Sequence, residues 1–284
     1  MWSRPSHKRA CAPARGRYPA AVSKVRLDAL LAERGLFESR SRAAAAVLAG
    51  EVRLGPERRV AAKPGQLVPG DIEVEVAVRP QFASRGGRKL ANALDALGIG
   101  VAGRRCLDVG ASTGGFTDCL LQRGAAEVIA LDVAYGELHW RLRNDPRVHV
   151  IERYNARNLE AEDLPYRPDL VVCDVSFISL TKVLPAVLGV VADRFDLLAL
   201  VKPQFEVGRE RVGKGGVVRD PADRRAALVA VAEHLREHGA AVMGFASSGL
   251  PGPAGNRETF VHAAEAGRPG GVEDVEAAAR KVEP

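Results

Sequence analysis

The hydrophobic rhythm of the chain changes near residue 80. Before that point, Leu27, Leu30 and Leu31 fall at i, i+3 and i+4, one face of a helix that Gly35 ends. An alanine-rich helix follows, with Ser39 or Ser41 as its N-cap and Gly50 as its stop. "EVRL" and "DIEVEVAV" then alternate as strands around the turn-rich "KPGQLVPGD". Beyond residue 80 the apolar positions come as continuous runs, the pattern of strands covered on both faces. Strands are expected over 104–109, 127–132, 148–151, 169–173 and 196–201, with helices over 89–97, 115–123, 178–192 and 222–238. This alternation predicts an α/β fold: a Rossmann-like, mostly parallel sheet wrapped by helices. Two strand-like runs, 240–249 and 257–265, are joined by a Pro/Gly/Asn loop alone, so the last strand is expected to be antiparallel. A dehydrogenase half would continue with βα units instead. The domain boundaries that follow are an arm (1–24), a small domain (25–79), a linker (80–88), a sheet domain (89–266) and a tail (267–284).

With 46% apolar residues in 284, a packed core is expected and global disorder is excluded. The net charge of +6 sits almost wholly at the front, where Arg4, Lys8, Arg9, Arg15, Arg17 and Lys24 meet no acid before residue 25. A basic front end on a mildly acidic body points to a polyanionic partner for the N-terminal part. The arm lacks the apolar core of a signal peptide, and no apolar run is long enough to span a bilayer. Cys11, Cys106, Cys119 and Cys173 show neither C-x-x-C spacing nor histidine partners. They read as reduced thiols of a cytoplasmic protein, and no metal site is expected.

The chemistry begins at "CLDVGASTGGFTDCLL" (106–121). Asp108 closes the first strand of the sheet domain. Gly110, Ala111, Ser112, Thr113, Gly114 and Gly115 form a turn, and Phe116 opens a helix. Glycines in such a turn let backbone N–H groups approach a ligand closely. Asp132 ends the next strand, placed to accept hydrogen bonds from a ribose. The spacing is not G-x-G-x-x-G, because Ser112 takes the second glycine's place. An adenosine cofactor without phosphates fits best: S-adenosylmethionine, with Asp108 near its ammonium and Asn155 and Asp174 completing the cradle. Asp174 and Lys202 each follow an apolar strand. In open α/β sheets, ligands bind outside the carboxyl ends of the strands, so both are expected to open onto one crevice.

Residues 25–79 resemble the S-four-type RNA-binding domain, an α-L fold. The resemblance implies that the second helix and its basic start lie against RNA phosphates, through Arg26, Arg34, Arg40 and Arg42. From Ser84 to about Ala264, "SRGGRKL", "ALDVAYGEL", "CDVSFISL", "LVKPQFEVG" and "GPAGNRETF" join the glycine turn in resembling the hemolysin-A-like (TlyA) RNA methyltransferases. These are relatives of the FtsJ/RrmJ ribose methyltransferases. The resemblance implies a catalytic tetrad of Lys89, Asp174, Lys202 and Glu258. It also implies 2′-O-methylation of cytidine in small- or large-subunit ribosomal RNA. Phe82 and Ala83 stand where the family commonly carries another aromatic followed by Val, and Tyr154 where it carries a small polar residue.

In that reading Lys202 takes the ribose hydroxyl proton, Asp174 orients Lys202, and Glu258 fixes Lys89. The loop 206–220, rich in glycine and basic residues, is a candidate cover for substrate. Three rivals are a pseudouridine synthase, a non-catalytic rRNA-binding protein and a membrane-active hemolysin. The first leaves the glycine turn unexplained, the second leaves the tetrad without a use, and the third needs an inserting segment that 183–192 and 196–201 are too short to supply.

Overall fold

The computed structural model describes residues 23–76 and 81–283. The chain divides into two compact units, 1–79 and 80–284. The arm residues Arg4, Lys8, Arg9, Arg15 and Arg17 and the thiol of Cys11 lie outside the described residues.

In the first unit, Leu27–Glu33 and Arg40–Leu48 are helices, and short strands at Val52–Leu54, Arg59–Val60 and Val74–Val76 form a three-stranded sheet. Lys24–Arg26 pairs with Leu67–Pro69 as a separate ribbon. Leu27, Leu30 and Leu31 are buried together with Ala43, Ala46 and Val47 of the second helix. Ser39 is the N-cap, its Oγ accepting the Arg42 N–H at 3.2 Å.

The second unit is a seven-stranded sheet. We number its strands β1 (Arg105–Val109), β2 (Glu127–Leu131), β3 (Val148–Ile151), β4 (Leu170–Cys173), β5 (Asp196–Val201), β6 (Ala240–Ser247) and β7 (Thr259–Glu265). The order across the sheet is β6-β7-β5-β4-β1-β2-β3. β1 to β5 pair in parallel, whereas β7 lies antiparallel between β5 and β6. Alternate residues of each strand face two cores. Helices Gly86–Leu97 and Gly115–Gln122 cover one face, with Cys106 and Phe260 beneath them. Helices Leu184–Val190, Pro221–Glu237 and Val275–Val282 cover the other, over Leu107, Val109 and Cys173. All six residues of β5 are buried, as its apolar run requires.

Three boundaries differ from those read off the sequence. The helix expected at 89–97 starts at Gly86, because the Ser84 oxygens take the first two free N–H groups. The helix expected over 178–192 spans only Leu184–Val190; a tight turn at Leu180–Lys182 precedes it, held by Glu206. Residues 267–284, set apart as a tail, contain a helix whose Val275 and Ala279 enter the core. Buried Glu283 then pairs with buried Arg224 at 2.9 Å.

At the amino end of the strands, buried Asp196 gathers His262 at 2.9 Å, Arg104 at 3.0 Å and Arg268. Charge is therefore compensated at that end. The carboxyl ends of the parallel strands are left open for a site.

Candidate active site

Two clefts meet at the carboxyl ends of β1, β4 and β5. One, of about 470 Å³, is lined by Gly110, Ser112, Asp132, Ala134, Asn155 and apolar residues that include Leu131, Ile178 and Val183. The other, of about 560 Å³, holds Lys89, Asp174, Lys202 and Glu258 together with Ala111, Thr113, Gly115 and Phe116. Gly110, Ser112, Asp174, Ser176 and Phe177 belong to both walls.

The four charged residues fall into two pairs. Lys202 Nζ lies 2.6 Å from Asp174 Oδ1, joining the ends of adjacent strands β5 and β4. Lys89 donates to Glu258 Oε2, joining a helix on one face to the residue that precedes β7. Glu258 is 2% exposed and Lys89 8%, so each charge is shielded from water and answered by its partner.

Asp132 follows β2 and lines the cleft of about 470 Å³. Its Oδ2 accepts the Ser112 N–H at 2.7 Å and its Oδ1 the Ala134 N–H at 2.8 Å. Each oxygen keeps a further lone pair for a ligand hydroxyl. The Asn155 Oδ1 accepts the Arg157 N–H at 3.1 Å, which fixes the side chain at the cleft edge.

Two assignments of the turn need correction. Asp108 reaches neither cleft. It is fully buried, and its Oδ2 accepts from the backbone N–H and the hydroxyl of Thr117, at 2.8 and 2.7 Å. Burial pushes its carboxyl up to about 7, and the Asp174 charge adds to the rise. It faces inward because odd positions of β1 point to one core and even positions to the other. Gly114 does not line a cleft either: a Cβ there would meet Leu142 Cδ1 at 2.3 Å. Gly115 lines the second cleft and is also required by packing, since a Cβ on it would meet Ser84 Oγ at 2.1 Å.

Ser176 and Phe177 escaped the sequence reading. Ser176 Oγ accepts from Lys202 Nζ at 2.8 Å. Phe177 is 92% exposed, has φ +64°, and meets the Phe205 ring at 5.4 Å between centroids. A large exposed aromatic in a left-handed conformation is the available signal, and it arises only in the folded chain. Of the loop 206–220, Gly216 lines the second cleft. Asn256 accepts the Val218 N–H at 2.9 Å and donates to the Gly216 oxygen at 2.7 Å.

In the small unit, Arg34 donates to the Ile72 and Gly70 oxygens at 2.7 and 2.8 Å, tying a loop in place. Arg26 and Arg40 flank Asp28, at 2.8 and 3.4 Å. The Arg42 backbone takes the Ser39 cap.

Residues 82–265 match the family described as FtsJ-like methyltransferase. The 16S/23S rRNA (cytidine-2′-O)-methyltransferase TlyA of Mycobacterium tuberculosis is 52% identical over 240 residues, 84% of this chain and 89% of that one. Hemolysin A of Brachyspira hyodysenteriae is 39% identical over 239 residues, 84% of this chain and 99% of that one. Among solved structures, a hemolysin candidate from Streptococcus thermophilus superposes with a TM-score of 0.68 at 37% identity, covering 92% of this chain and 96% of that one.

Proposed function

The chain belongs to the FtsJ-like methyltransferase family, and on that premise we propose that it methylates the ribose 2′-oxygen of a cytidine in ribosomal RNA. The observation that carries this reading is the Lys202–Asp174 pair, set in a wall shared by two clefts.

The first cleft suits S-adenosylmethionine. Its lining is apolar with Asp132, Glu137 and Asp174 and, among the described residues, contains no lysine or arginine. A cofactor without phosphates matches that lining, whereas a pyrophosphate would call for basic or backbone donors. Asp132 and Asn155 would hold the adenosine, and Gly110 and Ser112, which both clefts share, the amino-acid end. When bound, S-adenosylmethionine supplies a methyl group whose bond to sulfur breaks as a bond to the acceptor oxygen forms.

The protein's task is to orient that oxygen and to take its proton. Lys202 faces the second cleft as the base, and Asp174 holds it. Lys89, anchored by Glu258, places a second cation beside the acceptor. Phe177 and Phe205 offer an aromatic edge on which an unstacked base can lie. A cysteine nucleophile for base-carbon methylation finds no support: the Cys173 thiol is buried in the opposite core, and burial raises it well above the ordinary thiol value. The small unit is read as the RNA anchor and the cytoplasm as the place of action. The buried, unpaired thiols of Cys106, Cys119 and Cys173 agree with a reducing compartment. No described helix is long and apolar enough to cross a membrane.

The test is nucleoside mass spectrometry on ribosomal RNA incubated with the protein and labelled cofactor. A 2′-O-methyl mark survives alkali as a dinucleotide, and Lys202→Ala is expected to lower transfer by at least about 100-fold with cofactor affinity intact. Label on a base, or an active K202A protein, removes the assignment.

A further inference from the structure

An amine that accepts a proton must aim its lone pair at the donor. Lys202 Nζ is tetrahedral, with one direction taken by Cε. Ser176 Oγ at 2.8 Å accepts along a second, while Asp174 Oδ1 at 2.6 Å adds an ion pair that is not aligned as a hydrogen bond. We propose that Ser176 is a positioning residue for Lys202. Its hydroxyl accepts one N–H bond and so fixes the rotation of Nζ about the Cε bond, beside the ion pair with Asp174. This rests on the reading of Lys202 as base.

The chemistry balances around that arrangement. The proton leaves the ribose hydroxyl for Nζ, and the oxygen's electron pair forms the bond to the methyl carbon as the carbon–sulfur bond breaks. The positive charge passes from sulfur to Nζ. The resulting ammonium stands beside the Asp174 carboxylate and donates one N–H to Ser176. Ser176 thus serves both ends of the step, steering the amine beforehand and sharing the charge afterwards.

Two structural facts make the residue testable. Ser176 is exposed, so removing its hydroxyl opens no cavity in the core. The loop that carries it is held separately: Glu206 accepts from Ser179 Oγ at 2.6 Å and from the Leu180 N–H at 2.9 Å. Losing the Ser176 hydroxyl therefore frees the rotation of Nζ without releasing the loop.

The experiment uses the full chain, unmethylated ribosomal subunits and tritiated S-adenosylmethionine, with cofactor binding followed by calorimetry. Ser176→Ala is expected to lower kcat by roughly tenfold, the worth of one hydrogen bond to a charged group, with both KM values unchanged. Ser176→Thr, which keeps the hydroxyl, is expected to recover most of the rate. The proposal is overturned if S176A keeps kcat within about twofold, if its loss lies wholly in KM, or if threonine fails to rescue. Lys202→Ala is assayed in parallel. An inactive K202A beside a fully active S176A rejects the role of Ser176 alone, and an active K202A rejects the reading of Lys202 on which it stands.

Discussion

A Cβ on Gly110 would stand 2.6 Å from the backbone oxygen of Asp174. The first turn of the sheet is thus packed against the strand end that carries the Lys202 partner. Their strands are registered beside each other, with Val109 opposite Cys173. Gly110 also has φ +87°, which a side chain rarely adopts.

Gly110→Ala is therefore expected to cost about 2 kcal/mol of stability, combining backbone strain with a displaced Asp174. Activity should fall further than stability does, because the displaced carboxylate holds Lys202. Urea unfolding and methyl transfer measured on the same preparation would show it. Equal stability and rate in the alanine protein would mean that the turn is more pliant than its packing implies.

The Lys89–Glu258 pair makes a separable prediction. Glu258→Ala leaves an ammonium buried without its carboxylate, and stability should drop by about 3–5 kcal/mol. A double variant, Lys89→Met with Glu258→Leu, removes both charges and should regain most of that loss while remaining inactive. If the double variant is as unstable as E258A, the penalty arises from packing and not from the orphaned charge.

Asp132 holds two backbone N–H groups and lines the cleft proposed for the cofactor. One of them belongs to Ser112, whose φ is +46°. Asp132→Ala is expected to weaken S-adenosylmethionine binding by at least about tenfold, through a lost ribose acceptor and a loosened turn. Calorimetry is the check; unchanged affinity would take Asp132 out of the site.

Acid should act at the other end of the sheet. Burial alone would raise the Asp196 carboxyl, but hydrogen bonds from His262 and Arg104 and the Arg268 charge overcome it and hold the group at about 2. Its value in the folded state is thus below the ordinary 3.8. The stability this contributes is fully present above the unfolded value and is lost as pH falls toward 2. The shift corresponds to about 2 kcal/mol, and Asp196→Asn should both destabilise the protein at neutral pH and flatten its acid unfolding between about pH 4 and 2. An acid limb as steep in D196N as in the parent would assign that limb to other carboxylates.

Much of this protein is local and so can be read along the chain. The five apolar runs of the parallel strands, the glycine-rich turn after β1, the acid at the end of β2 and the charged residues after β4 and β5 all follow from period, run length and turn chemistry. Burial imposes those patterns residue by residue. The antiparallel end of the sheet was legible too, because a short loop cannot carry the crossover that parallel strands need.

What the pattern cannot carry is the identity of distant partners. Lys89 and Glu258 are 169 positions apart, and the packing of helix Gly86–Leu97 against β6, the edge partner of β7, brings them together. The same limit hid the partners of the glycines. A turn advertises missing Cβ atoms, but whether a ligand or the protein fills the space depends on Asp174, Leu142 and Ser84, which fold in from elsewhere. Asp108 looked like a ligand residue because it ends a strand, yet pleating turned it inward to Thr117. Ser176 and Phe177 carried no periodic signal, since their placement comes from a loop clamped to the segment after β5 by Glu206. Periodicity specifies which face of an element is buried; convergence of loops from several strand ends is a property of the assembled sheet.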